Sequence, residues 1–142
     1  MGKGNTWSND ILGILFNATA VANICDNAAS APLTNLYVSL HTANPGASGT
    51  QQTSEAAYTS YARVAVARTS GGWTITTTSV SPAANITFPA ATGGSETETF
   101  FGIGTASSGA GVLLYSGAIS PTIVVSNGVI PILTTGSTVT ES

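Results

Sequence analysis

The sequence predicts an all-β protein: an antiparallel two-sheet sandwich of the jelly-roll type, with one N-terminal helix and extended termini. Three observations predict this class. Apolar and polar residues alternate over about eight short runs, turn signals separate these runs about every 8–12 residues, and β-branched residues are abundant, with 22 Thr in 142 residues. A meander barrel shares these features and is the alternative. We expect residues 1–142 to form a single domain, since a chain of this length buries a sizeable core.

The N-terminal helix is predicted over residues 11–25, after an arm formed by residues 1–10. Ser8 can cap a helix start, and Asp10 would lie in the first turn, where the helix dipole favours a negative charge. Apolar residues then recur at helical spacing, at Ile11, Leu12, Leu15, Ala18 and Ala22. This apolar surface is wide, so we expect the helix to pack on the protein's own sheet or on a partner.

The period of the apolar pattern changes to two at residue 36. We expect the sandwich to span residues 36–134, followed by a C-terminal tail at 135–142. In "LYVSLHT" the aliphatic residues share one face, so His41 is expected on the opposite face as a half-exposed strand residue. Residues 47–60 are rich in Ser, Thr and Gln and are predicted to form a long surface loop.

The remaining strands are predicted at "YARVAVART", "WTITTTSV", "ANITFP", "TETFFGIGT", "VLLYSGAI", "TIVVS" and "VIPIL". Asn127-Gly128 lies between the last two runs and is a dipeptide that two-residue hairpins prefer. Glu96 and Glu98 are two residues apart in a strand and therefore point to the same side. We expect them to form a charged edge that discourages aggregation between sheets.

Charged residues make up 6% of the chain, against about 25% in ordinary globular domains. The polar surface must therefore come from amides and from the hydroxyls of 22 Thr and 17 Ser. A neutral hydroxyl surface is easily desolvated, which suits a protein that is held permanently against neighbours. Nucleic-acid binding is not expected, because the net charge is -3 and Lys3, Arg63 and Arg68 are widely spaced.

No enzyme, cofactor or metal site is predicted. His41 is the single histidine, and no G-x-S-x-G motif surrounds a serine that it could activate. The only cysteine, Cys25, is expected to be a small buried hydrophobe, and no cluster of metal ligands is present in the sequence. The apolar run at 11–25 is shorter than the roughly 20 residues that span a bilayer, so no membrane contact is expected.

Aromatic residues are the candidates for a carbohydrate platform: Tyr37, Tyr58, Tyr61, Trp73 and Tyr115. In a sandwich of this size, aromatic side chains more often fill the core. Trp7 differs, because it precedes the predicted helix within a polar segment. It either packs against the start of the helix or anchors a contact with a partner.

The ordered series "LYVSLHTANPG", "YTSYARVAV", "ITFPAAT", "FGIGTA" and "LLYSGAIS", between about residues 36 and 120, resembles small jelly-roll structural proteins in the virions of tailed bacteriophages. Members of this group are described as capsid cement (decoration) proteins or as tail-fibre-like proteins. The resemblance implies a viral protein without enzymatic activity that is part of the particle. The chain has no fibre-forming repeat, coiled coil or separate tip. We therefore expect a cement protein on the outer surface of the capsid.

Such a protein would bridge and stabilise subunits of the major capsid protein through many repeated contacts. We expect it to form a homodimer, because a two-fold clamp is the simplest symmetric bridge. The candidate interface is an exposed sheet edge or the apolar helix, with Trp7, Ile11, Leu12, Ile14, Leu15 and Phe16. A structural protein of a tail fibre or tail tip is the first alternative, and a carbohydrate-binding module for host attachment is the second.

Overall fold

The structure is a computed structural model that describes residues 5–21 and 32–141. Its elements are, in chain order, α1 (Asn5–Asn17), β1 (Asn35–His41), β2 (Val64–Ala67), β3 (Trp73–Thr76), β4 (Ser79–Pro82), β5 (Ile86–Thr87), β6 (Glu96–Gly104), β7 (Leu113–Val125), β8 (Ile132–Leu133) and β9 (Val139–Thr140). The strand content is 39%, the sheets are antiparallel, and α1 is the only helix in the described residues. The predicted all-β class with one N-terminal helix is therefore confirmed.

The described strands form three sheets, with the orders β2-β1-β6-β7, β3-β4-β9 and β5-β8. Residue contacts group the chain into two compact units. Unit 1 comprises residues 1–35, 66–85 and 134–142, and unit 2 comprises residues 36–65 and 86–133.

In unit 1, α1 packs against β3 and β4. Leu12 and Phe16 on the helix are fully buried, and the Phe16 ring meets the buried Trp73 ring edge-on, with the centroids 4.7 Å apart. Such an aromatic pair contributes about 0.5–1.5 kcal/mol beyond the area that it buries. Helix and sheet therefore share one apolar core.

The helix does not have its predicted bounds. It begins at Asn5, so part of the predicted arm is helical, and Ser8 is a buried residue inside the helix rather than its cap. It ends at Asn17, because Ala18 takes a left-handed φ of 51° and the N–H of Thr19 donates to the Gly13 carbonyl at 3.0 Å. Residues 22–25 of the predicted helix lie outside the described residues.

The run "WTITTTSV" forms two strands instead of one. The chain reverses at Thr77, whose φ is 55°, so Thr76 pairs with Ser79 and Ile75 pairs with Val80. In a single strand Ile75 and Val80 would lie on opposite faces, whereas the hairpin places them on one face. The predicted C-terminal tail is also wrong in part, because β9 pairs with β4 and buries Val139 opposite Val80.

In unit 2, β1 pairs with β6, and Val38 and Leu40 lie opposite Ile103 and Phe101. All four side chains are buried and form one apolar layer of this unit. The runs "VLLYSGAI" and "TIVVS" join into β7, whose pairing with β6 is interrupted between Ala118 and Ile123, where Pro121 lies.

Asn127-Gly128 forms the predicted turn, since Gly128 has a φ of 89° and the N–H of Val129 donates to the Ser126 carbonyl at 3.0 Å. The expected pairing of the flanking strands is wrong, because β8 pairs with β5 and not with β7. That pairing buries Ile86 and Leu133, which lie opposite each other.

Candidate functional site

The candidate interface residues on α1 differ in how much surface they offer. Leu12 and Phe16 are fully buried in unit 1, whereas Trp7 is 37% exposed. Ile11, Ile14 and Leu15 are partly exposed. An interface on this helix stays a prediction, and its accessible part is Trp7 with these three aliphatic residues.

Arg68 closes the C-terminal end of α1. Its Nε donates to the Leu15 carbonyl at 2.6 Å, and Nη2 donates to the Ile14 carbonyl at 2.7 Å. Nη1 donates to the Leu33 carbonyl at 2.7 Å. The last carbonyls of a helix lack partners within it and carry partial negative charge, so a cation stabilises them. Sequence reasoning missed this role, because Arg68 lies more than fifty residues from the helix carbonyls that it binds.

His41 is fully buried, so the prediction of a half-exposed residue is wrong. The segment expected to be a surface loop folds back along β1. The Thr42 N–H donates to the Ser54 carbonyl at 2.8 Å, and the Ala56 N–H donates to the Leu40 carbonyl at 2.9 Å. Consecutive residues from Val38 to His41 are all buried, so both faces of this end of β1 are covered.

The hydrogen bonds of His41 define its tautomer. Nδ1 lies 2.8 Å from the Thr53 carbonyl, which can only accept, so Nδ1 carries the hydrogen. Nε2 lies 2.8 Å from Ser39 Oγ and accepts from it. Burial lowers the pKa of His41 more than the hydrogen bond to Thr53 raises it, so the ring is neutral at pH 7.

A serine hydroxyl donating to a histidine is also the arrangement of a nucleophile with its base. Here both side chains are fully buried, and they press against the backbone of β6. A Cβ at Gly102 would lie 2.6 Å from His41 Nε2 and 2.7 Å from Ser39 Oγ, so only glycine fits. In this arrangement no substrate can reach Ser39 Oγ.

A buried ion pair lies elsewhere in unit 2. Arg63 Nε and Nη2 donate to Glu55 Oε1 and Oε2 at 2.6 and 2.7 Å. The same guanidinium donates to the carbonyls of Ala106, at 2.8 Å, and Gly109, at 2.6 Å. Tyr61 Oη adds a third donor to Glu55, at 3.0 Å. These bonds satisfy both charges and join three segments of the unit.

Gln51, which is uncharged, connects its own segment to β1 and to Ala106. Its Nε2 donates to the Tyr37 carbonyl at 3.3 Å, and its Oε1 accepts the Ala106 N–H at 2.9 Å. A Cβ at Gly104 or Gly111 would overlap the Gln51 side chain. Glycine at these two positions makes room for a buried amide.

Glu96 and Glu98 do not form a charged edge, because β6 lies between β1 and β7. Glu96 Oε1 accepts the N–H groups of Ala57 and Tyr58 at 2.8 and 2.7 Å. Glu98 is fully buried, and as a carboxylate it finds no donor among the described residues. Burial, and then the hydrogen bond and charge of Glu96, raise the pKa of Glu98 to about 8. At neutral pH Glu98 is therefore protonated and can donate to Glu96.

The ionisable side chains of unit 2 are therefore engaged within the protein. Its acidic, basic and histidine residues are His41, Glu55, Arg63, Glu96 and Glu98, and each is buried, ion-paired or hydrogen-bonded. The sequence from Thr99 to Thr140 contains no Asp, Glu, Lys, Arg or His. The surface that β7 and β8 contribute is therefore neutral.

This neutral surface includes a sheet edge and exposed aliphatic side chains. β7 is the terminal strand of its sheet, with β6 on one side. Val112 and Val124 are 60% and 66% exposed, and Ile130 and Ile132 are also exposed. An open groove of about 410 Å³ lies between Leu113–Ser116 and residues 44–49.

The aromatic residues considered for carbohydrate binding are mostly internal. Trp73 is buried, and so is Tyr58, whose hydroxyl donates to the Pro89 carbonyl at 3.0 Å. Tyr37, Tyr61 and Tyr115 are partly exposed, and the Tyr61 hydroxyl donates to Glu55. Among residues 5–21 and 32–141 there is neither a group of three or more potential metal ligands nor a helix long and apolar enough to cross a membrane.

Comparison with known proteins places the chain in a family. A search of curated proteins found no match. The family model of the podophage GP4 fiber I protein gp80 matches residues 3–140, which is nearly the whole chain. The resemblance to structural proteins of tailed bacteriophages is thereby confirmed at the level of a phage structural protein. The chain belongs to the family of the podophage GP4 fiber I protein gp80.

Proposed function

We propose that this protein is a structural component of a bacteriophage tail fibre. The observation that carries the proposal is the family match over residues 3–140, because the family is named for a fibre protein. The expected role as a capsid cement protein rested on the absence of a fibre repeat or coiled coil. A compact module without such a repeat is also compatible with a place in a fibre, so the match favours the fibre role.

The surface chemistry supports a permanent place in a particle. The ionic groups of unit 2 are used internally, so its surface is made mainly of backbone, hydroxyl, amide and aliphatic groups. Such groups cost less to desolvate than charges do, and they suit contacts that are made once and kept. We also propose that the protein is not an enzyme, since the serine–histidine pair has no access for a substrate.

Copy number in purified virions tests the proposal. Quantitative mass spectrometry would compare this protein with the major capsid protein and with a tail protein of known copy number in the same sample. A tail-fibre component should be present in the small number set by the tail symmetry, and a labelled antibody should bind at the tail. Hundreds of copies distributed over the shell would restore the cement role, and absence from the virion would overturn both.

A further inference from the structure

We infer that the edge of β7 around Ser116 and Ala118 pairs with the same edge of a second copy of this chain. The sheet of unit 2 would then continue into the second copy across a two-fold axis. This inference goes beyond the proposed function, because association of the purified chain does not depend on its place in the virion.

The hydrogen-bond pattern shows which residues of β7 face the open side. The N–H and C=O groups of Leu40 point away from β6. The N–H donates to Tyr61 Oη at 3.1 Å, and the carbonyl accepts the Ala56 N–H. In an antiparallel pair, two residues that lie directly opposite either bond to each other or both point their N–H and C=O groups away from each other. Phe101 of β6 lies opposite Leu40, so its N–H and C=O groups point towards β7. The partner of Phe101 is Gly117. Its neighbours Ser116 and Ala118 therefore direct their N–H and C=O groups away from β6.

The regular part of this edge, Tyr115–Ala118, carries neither charge nor proline. Natural edge strands are kept short or carry charge, proline or a bulge on the edge. Tyr115–Ala118 pairs with Phe100–Ile103 of β6 without a register shift; a bulge at Leu114 precedes this stretch, and the interruption that contains Pro121 follows it.

Electrostatics favours a second copy as the occupant. A different protein usually selects its partner through complementary charges, and the ionic groups of unit 2 are all engaged internally. Two identical antiparallel edges are complementary without charge, because each donor meets an acceptor across the two-fold axis. Neutrality also removes the like-charge repulsion that would oppose pairing between copies of a chain with net charge -3.

The side chains permit a close approach. Ser116 and Ala118 are small and exposed, and Gly117 lies between them. Val112, which is 60% exposed, precedes β7 and would be covered by the second copy.

The mass of the purified full chain in solution tests the inference. Sedimentation equilibrium should give twice the chain mass of 14.1 kDa, and Ala118→Lys should reduce it to 14.1 kDa, because the two new ammonium groups would meet at the axis. Ser116→Lys is the second variant, in case the first does not fold. Gln52→Lys adds the same charge at an exposed position in another segment of unit 2 and should leave the dimer intact.

Hydrogen exchange identifies the surface. The amides of Ser116 and Ala118 should exchange slowly in the wild-type chain and quickly in whichever folded lysine variant is monomeric. A wild-type chain that is monomeric over a dilution series overturns the inference. A dimer that both lysine variants leave intact, or one in which these two amides exchange quickly, also overturns it. A monomeric chain that is nevertheless found at the tail would leave the proposed function standing.

Discussion

Unit 1 and unit 2 each contain one arginine, and the two side chains stabilise different kinds of structure. Arg68 of unit 1 is partly exposed and binds three carbonyl groups, two of them at the end of α1. Arg63 of unit 2 is 9% exposed and binds a carboxylate as well as two carbonyls. Both arginines therefore act chiefly as donors that hold backbone and loop segments in place.

The two units also differ in the kinds of side chain that their cores bury. Unit 1 buries aromatic and aliphatic side chains such as Phe16 and Trp73, whose indole Nε1 finds no acceptor among the described residues. Unit 2 buries a histidine, a glutamine, a glutamate and an arginine. Unit 1 thus depends mainly on apolar packing, while unit 2 depends on completing a polar network.

The largest expected effect comes from breaking the ion pair of unit 2. Arg63→Met should lower the free energy of unfolding by about 3–5 kcal/mol, because two carbonyls would lose their donor and the Glu55 carboxylate would keep only Tyr61 as a donor inside the protein. Urea unfolding measures this change. The double variant Glu55→Leu/Arg63→Met leaves no unpaired charge and should recover part of the loss. A loss below about 1 kcal/mol in the single variant would show that the network is not needed.

The second-largest expected effect is a pH dependence of the free energy of unfolding, which arises from Glu98 in unit 2. Between the usual Glu value of 4.5 and about 8, folded Glu98 keeps a proton that the unfolded chain has released. The free energy of unfolding should therefore fall as pH rises through this range. Glu98→Gln cannot ionise, and its amide can still donate to Glu96. We expect this variant to be more stable than the wild type at pH 8 by on the order of 2–4 kcal/mol.

Urea unfolding at a series of pH values measures this difference. At pH 4 the two proteins should be close in stability, because Glu98 is then protonated in both the folded and the unfolded states of the wild type. Asp10→Asn removes one carboxylate from unit 1 and should keep the wild-type decline. Parallel pH profiles for Glu98→Gln and the wild type would contradict the assignment.

The smallest effect is expected at the helix end of unit 1. Arg68→Ala should cost about 1–2 kcal/mol, because the carbonyls of Ile14 and Leu15 can be partly solvated when the guanidinium is lost. Arg68→Lys should recover less than half, since one ammonium group cannot reproduce the fork of donors. Thermal unfolding followed by circular dichroism measures both changes. Equal stability of the lysine variant and the wild type would mean that charge alone is sufficient.

Local sequence patterns predicted most strands, but they predicted poorly which strand residues are buried and which strand lies at a sheet edge. The alternation in β1 correctly placed His41 opposite the aliphatic residues. It could not show that residues 53–56 return to cover that face, because this contact is not local. For the same reason Glu96 and Glu98 were taken for an edge: a strand's place in its sheet depends on partners that its own residues do not specify.

Local patterns also failed where packing overrides propensity. The Thr-rich run of β3 and β4 favours a continuous strand, yet the chain turns at Thr77 and thereby brings Ile75 and Val80 to one face. The role of Arg68 had no local signal, because the carbonyls that it binds are distant in the sequence. The identification as a phage structural protein came from an ordered series of short segments. Composition alone could not supply it.

The uncharged stretch from Thr99 to Thr140 also determines how this part of the protein responds to the salt around it. Dissolved ions weaken contacts by screening exposed charges, and this surface presents none of its own. Contacts made through it should persist from dilute to concentrated solution. Sulfate or phosphate, which are excluded from protein surfaces, should tighten such contacts further.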